Sequence, residues 1–399
     1  MGFVHTLLPV DDALALILER AEALPTERVK LADAVGRVNA AAAVSAVDVP
    51  PFRSSSMDGY AVRAADLPGV LTIVGRAAAG RPASRAVGAG EAIEISTGGV
   101  VPEGADTVVP VERVEVKLDT VTILESAPVR DNIREPGGDA LIGSKLLAAG
   151  ELLTPARLGA LAACGIESVV VHRRPRVTVV VTGTELRSPG EKLAPGQIYE
   201  SNGVMLAALM GAAGATVVRL AATEDTEEAH AASLEEALDS DVVVTSGGVS
   251  VGPHDLVRQV QARLGVEEVF WGVAMRPGKP LAFGCRGKTL VFGLPGNPVS
   301  ALVGCILFVR PALLALTGHP DPAPPFRPGT LGAAVPQRPE RDDFVRARVT
   351  WGEEGARVEP IIGQESHMIA RTTAADGLIW IPRGPDVLEA GSTVRFLSL

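Results

Sequence analysis

The sequence predicts a multidomain protein of the α/β plus β class. Three observations carry that prediction. The chain has 399 residues, more than one ordinary core holds, so two to four domains are expected. From Arg176 onward strand patterns alternate with helical ones, the mark of a mostly parallel sheet covered on both faces. On either side lie short Val/Ile-rich runs broken by Gly and Pro, which read as all-β.

In chain order, residues 11–24 (DDALALILERAEAL) place Leu14, Ile17, Leu18, Ala21 and Leu24 at helical spacing and predict an amphipathic helix. Residues 46–134 hold short runs at Val70–Val74, Ala92–Ile95, Thr107–Val111, Val114–Lys117 and Val121–Leu124. LLTPARLGALAACG returns to helix, with Thr154 as N-cap and Pro155 at the first helical position. RVTVVVTG, ATVVRLAAT and DVVVTSGG then read as strands. SNGVMLAALMGAAG, DTEEAHAASLEEALD and HDLVRQVQARLG read as the helices between and after them. LAFG and TLVFGLPG add strands, and NPVSALVGCILFVRPALLALTG closes the unit as a long buried helix, with Asn297 as N-cap and Pro298 as its first residue. HPDPAPPFRPG reads as a linker, and FVRARVTW, ARVEPI, GLIWIP and STVRFLSL as the strands of a small barrel or sandwich.

Aromatic content is 4%, so Val, Ile, Leu and Ala must fill the cores. A net charge of −10 argues against a general nucleic-acid binder, which needs a basic surface. An anionic small ligand stays compatible, because a pocket can be locally positive. Cys164, Cys285 and Cys305 are far apart and read as buried, reduced thiols. Asp11 and Asp12 stand where a signal peptide wants positive charge, and the apolar run Ser300–Val309 stops at Arg310-Pro311. A soluble, cytoplasmic protein without a membrane span is the expectation.

The chemistry concentrates at strand-to-helix junctions. In VVVTSGGVSVGPHDLV, Ser246, Gly247, Gly248, Ser250 and Gly252 suit an oxyanion or phosphate cradle, since ligands of parallel sheets bind where strands end and bare N–H groups favour anions. A tight turn without ligand is the competing reading. VTGTEL places Glu185 beside the sheet edge, AMRPGKP places Arg276 and Lys279 in a proline-bounded loop, and FGLPGNPVS brings Pro295, Asn297 and Pro298 to one more junction. Four such loops on one sheet predict a shared pocket with several anion contacts. Asp225 and Asp255 read equally as helix-start carboxylates, Asp58 as a turn residue before Gly59, and His254 as a solvated first-turn residue.

Taken together, SMDGYAV (56–62), ISTGGVVPEGAD (95–106), NIREPGGD (132–139), VTGTELRSPGEKLAPGQIYESN (181–202), TSGGVSVGPHD (245–255), MRPGKP (275–280), GLPGNPVSA (293–301) and GQESHM (363–368) closely resemble the signatures of the molybdopterin molybdenumtransferase family, the bacterial MoeA type and the C-terminal domain of gephyrin. The resemblance covers nearly the whole chain. It implies an elongated linking domain from residues 1–45 and 135–172, a β-rich insertion at 46–134, an α/β domain at 173–321 similar to molybdopterin adenylyltransferase, and a small β-barrel at 322–399. It further implies a homodimer whose cleft brings Asp58, Thr97 and Asp139 across to Glu185, Asp225 and Asp255. The implied substrates are molybdate and adenylylated molybdopterin. AMP is released, and Mg2+ is held by Glu185, Asp225 and Asp255. Arg346 and Ser366 are expected to reach the cleft from the barrel. The adenylyltransferase and the molybdoenzymes receiving the cofactor are implied partners. Thr184, Arg276, Gly138 and Gly99 depart from the family pattern; Thr184 and Gly138 remove two potential carboxylates, and Arg276 replaces a point charge by a planar fork. An adenylyltransferase, or a non-catalytic scaffold, is the alternative reading.

Overall fold

The computed structural model describes residues 7–221, 227–247 and 256–399. Its centre is a six-stranded sheet in the order Thr216–Ala221, Arg176–Val181, Val242–Ser246, Thr289–Leu294, Ala282–Arg286, Glu267–Trp271. The first four strands are parallel, and Ala282–Arg286 runs against its neighbours. β-Branched residues dominate the middle of this sheet. Val177, Val179, Val242 and Val244 are wholly buried, because helices cover both faces. Asn202–Ala212 and the apolar helix from Pro298 pack on one face, and Glu227–Ala237 with Leu256–Arg263 on the other.

That apolar helix runs unbroken from Pro298 to Leu316, through a π-helical turn at Cys305–Val309. It continues through Arg310-Pro311, as its sequence pattern predicts, because Pro311 sits in the first turn after the π segment, where it is tolerated. By length and composition the helix could cross a membrane, but 83% of it is buried inside the protein, as a core helix is.

Residues before and after the inserted β region meet in an antiparallel pair, Thr26–Lys30 with Ser168–His172. The N-terminal helix is Val10–Arg20, shorter than its pattern, and buries Val10, Ala13 and Ile17 against the central unit. Thr154 caps Pro155–Ala163 as expected, its hydroxyl accepting from the Arg157 N–H. The insertion forms a sheet in the order Thr107–Pro110, Gly59–Val62, Glu91–Ile95, Gly69–Ala77, Thr120–Ile123, Val114–Lys117. Gly59–Val62 lies one strand in from its edge yet was not expected as a strand. It is four residues long and opens on glycine, so its apolar pattern is too brief to register.

At the carboxyl end of the chain, Asp342–Gly352, Gly355–Pro360, Arg327–Leu331, Thr393–Ser398 and Gly377–Ile381 close into a small barrel, the last strand pairing back to the first. Arg327–Leu331 begins inside the proline-rich stretch expected to be linker. Phe326 packs against Trp380 with ring centroids 5.1 Å apart and the planes tilted by 55°, which anchors that stretch. A short strand of the central unit, Met275–Arg276, adds to the barrel in parallel with Asp342–Asp343.

Candidate functional site

The parallel strands Arg176–Val181, Val242–Ser246 and Thr289–Leu294 end level with one another, with Val181, Ser246 and Leu294 in register. Beyond them opens a cavity of about 760 Å³. The loops leaving all three strands line it, as the geometry of open parallel sheets requires. Glu185, Ser246, Gly247, Pro295, Asn297 and Pro298 of the expected set are brought together there.

The glycines are needed for close approach. Gly247 has φ +97°, and a Cβ on it would lie 2.9 Å from the Thr182 carbonyl oxygen. A Cβ on Gly183 would lie 2.7 Å from the Glu185 carboxylate, which folds back over the turn. Asn202, at the first position of its helix, fastens two of the loops. Its Nδ2 donates to Ser246 Oγ at 2.9 Å and to the Gly296 carbonyl at 2.8 Å. Its Oδ1 is buried without a partner. Asn297 occupies the N-cap position of the apolar helix, but its exposed side chain makes no capping bond. A polar group there faces the cavity unspent.

The remaining expected residues fall elsewhere. Arg276 reaches toward the barrel, with Nη1 3.6 Å from Asp343 Oδ2, and lines a separate cavity of about 210 Å³. Arg338 Nε shares the same carboxylate oxygen at 3.1 Å. Burial pushes the Asp343 carboxyl above its ordinary range against the pull of those two guanidinium groups. Lys279 is exposed next to Pro280, which does line the large cavity. Arg346 does not reach the cavity: it is fully buried inside the barrel end, because its guanidinium is consumed by carbonyls of the loop around Gly363–Met368. Ser366 touches the central unit through its carbonyl, which accepts from the Val299 N–H at 3.0 Å, while the neighbouring His367 lines the cavity.

Asp58 and Thr97 meet in the inserted sheet, where the Thr97 N–H donates to Asp58 Oδ1 at 2.8 Å; both are exposed. Asp139 is also exposed, and its N–H bonds to the Val49 carbonyl. The segment from Val49 to Asp58 thus connects the two carboxylates, and neither lines the large cavity. Asp225, Gly248, Ser250, Gly252, His254 and Asp255 lie outside the described residues. Among the described residues no three His, Cys, Asp or Glu side chains gather as a metal site. Sequence reasoning missed Asn202, which sat inside a helical pattern, and His367, one place beyond the singled-out Ser366.

Residues 8–165 match the MoeA N-terminal region (domain I and II), residues 178–315 a probable molybdopterin binding domain, and residues 328–399 the MoeA C-terminal region (domain IV). The molybdopterin molybdenumtransferase 2 of Mycobacterium tuberculosis is 37% identical over 405 residues, covering 98% of this chain and 99% of that protein. The chain belongs to the molybdopterin molybdenumtransferase family. It is a transferase of molybdenum cofactor biosynthesis. The molybdopterin molybdenumtransferase of Haemophilus influenzae is 35% identical and covers 97% of this chain and 98% of its own length. Two crystal structures of the molybdopterin biosynthesis MoeA protein from Pyrococcus horikoshii share the whole architecture, with TM-scores of 0.82 and 0.80 at 33% and 30% identity. Each comparison covers 98% of this chain, and 99% and 100% of the respective neighbour. In this molybdopterin molybdenumtransferase the described residues lining the cavity come from the probable molybdopterin binding domain and, with His367 and Ile369, from the C-terminal region.

Proposed function

We propose that this chain transfers molybdenum from molybdate to adenylylated molybdopterin with release of AMP, acting as a cytoplasmic homodimer. One observation carries the reading: the cavity of about 760 Å³ at the carboxyl ends of the parallel strands, walled by glycine loops and a helix start. Its volume lies in the range of small-molecule sites. Main-chain N–H groups on glycine loops favour a substrate's phosphates at no cost in reorganisation. Asn297 supplies an unspent amide beside them. Asn202 holds the Ser246 and Gly296 loops at fixed separation, so the anionic group is met by a pre-formed wall.

Glu185 offers the hard oxygen ligand that Mg2+ takes, and Asp225 and Asp255 complete the carboxylate set we assign to it. When bound, the cation would polarise phosphoryl oxygens for departure of AMP. Asp58 and Thr97 on the inserted part, and Asp139 just after it, are exposed and serve, in this reading, as the partner subunit's contribution to the cleft. Arg276 is turned to Asp343 outside that cavity, so in this reading Lys279, exposed beside Pro280, attracts molybdate.

The test uses purified dimer, adenylylated molybdopterin and molybdate, with AMP and pterin-bound molybdenum measured with and without EDTA. Glu185→Gln should lower magnesium-dependent AMP release at least tenfold without changing the melting temperature. Verified heterodimers of Asp58→Ala and Asp255→Ala should regain about half of the sites. AMP release insensitive to EDTA and to Glu185→Gln removes the metal from the proposal, and heterodimers without recovery remove the shared cleft.

A further inference from the structure

The loop from Gly363 to Ile369 leaves the barrel and touches the central unit. Arg346, at 0% exposure, anchors it. Nη1 donates to the Met368 carbonyl at 2.7 Å and to Thr372 Oγ1 at 2.9 Å, and Nη2 to the Gly363 carbonyl at 2.6 Å. The main chain of Arg346 also exchanges bonds with the Gln364 amide, 3.0 Å from its N–H and 2.8 Å to its carbonyl. Among the described residues no carboxylate forms an ion pair with this guanidinium. A buried cation without an ion pair is an expensive component in any fold. What it secures here is the course of one loop.

At the far side of that loop, the Val299 N–H donates to the Ser366 carbonyl. The next residue, His367, is exposed and lines the large cavity with Glu185, Ser246, Gly247 and Asn297. Helix starts ordinarily offer anions several free N–H groups. This one offers fewer. Pro298 has no N–H, and that of Val299 is already taken. An imidazole supplied from the barrel side replaces the missing donor, and it can do so in either protonation state, since a neutral ring still donates once.

We propose that His367 is a phosphate-contacting residue of the cavity and that Arg346 is the residue that positions it. The proposal rests on the reading that an adenylylated substrate binds there. The barrel is then part of the binding site as well as its neighbour.

The probes are AMP and adenosine, titrated calorimetrically into the full-length protein. Wild type should prefer AMP. His367→Ala should weaken AMP about tenfold to a hundredfold, the worth of a hydrogen bond to a charged group, and leave adenosine unchanged. His367→Gln, which keeps a donor, should recover most of the loss. Arg346→Lys keeps the charge but loses the two-armed grip, so AMP selectivity should fall. The milder Thr372→Val serves if Arg346→Lys lowers the melting temperature strongly. Combining either with His367→Ala should weaken AMP no further than His367→Ala alone, which a merely structural role would not produce. AMP selectivity retained in His367→Ala overturns the role of His367 and leaves the cavity reading intact. Additive losses in the double variant overturn the positioning role of Arg346. Wild type binding neither probe overturns the cavity reading and this inference with it.

Discussion

Gly59 lacks a side chain because the inserted sheet leaves no room for one. A Cβ there would stand 2.1 Å from the Val109 carbonyl oxygen and 2.9 Å from Pro110 Cα, both main-chain atoms of the paired strand. Neither can step aside without breaking the ladder. Gly59→Ala should therefore cost roughly 1–3 kcal/mol or more by overpacking, read as a drop in melting temperature. It also adjoins Asp58, so the same variant should loosen the Asp58–Thr97 contact. Asp241 shows the opposite economy. Burial opposes its ionisation, but the two bonds from Arg173, at 2.6 and 2.7 Å, and the Arg176 N–H outweigh burial and hold the carboxyl below its ordinary value. A depressed folded-state pKa stabilises at pH values above the unfolded one, near 3.8, and that stability is lost as pH falls through the folded value. Asp241→Asn should flatten this part of the acid unfolding curve while lowering stability at neutral pH; an unchanged acid limb would remove Asp241 as its cause. Residue type and loop position sufficed to group Glu185, Ser246, Gly247 and Asn297, which the fold gathers around one cavity, since local sequence decides where a strand ends. They did not foresee where Arg276 and Arg346 turn: Asp343 meets Arg276 by packing between units, and Met368 meets Arg346 by a loop folding back within the barrel.

Among elements, the N-terminal helix illustrates what periodicity can and cannot show. The apolar face was visible, and Ile17 on it is wholly buried. What covers that face was not visible: the helix packs on residues of the central unit nearly 300 positions away, such as Leu313 and Leu316. Ile17→Ala should cost about 2–5 kcal/mol, as deletion of a large core side chain does, and chemical denaturation should read the loss on the central sheet's own signal. The long apolar helix was legible as buried from its composition alone. Its π-helical turn was not, because an extra residue per turn leaves no mark in an all-apolar stretch.

At the scale of the molecule, the β-rich insertion and the barrel each contain a core, but the central core is shared. Phe344, Leu378, Trp380 and Leu397 of the barrel belong to the same buried cluster as the sheet strands. Trp380 is the hub. Arg395 lies over its ring at 3.8 Å, with Phe326 and Phe344 on neighbouring edges. Trp380→Ala should cost about 3–5 kcal/mol and raise amide exchange in Val242–Ser246 as well as in the barrel. Exchange confined to the barrel would show that the two units melt independently. The fold class was readable because each unit has its own rhythm of strands and helices. The fusion of cores was not, because apolar residues carry no label saying which unit they will join.

The shared cluster also dictates a schedule for the growing polypeptide. Val10, Ala13 and Ile17 leave the ribosome long before Leu397, yet all four finish in one core. At about 5–20 residues per second, the early helix waits on the order of 20–80 s for its final neighbours. Throughout that interval the cluster around the early helix lacks its last members. The inserted sheet, whose strands all lie between Gly59 and Ile123, can meanwhile condense by itself. Translation thus separates the two halves of the proposed cleft in time: the Asp58 face can form before Glu185 and His367 have been made.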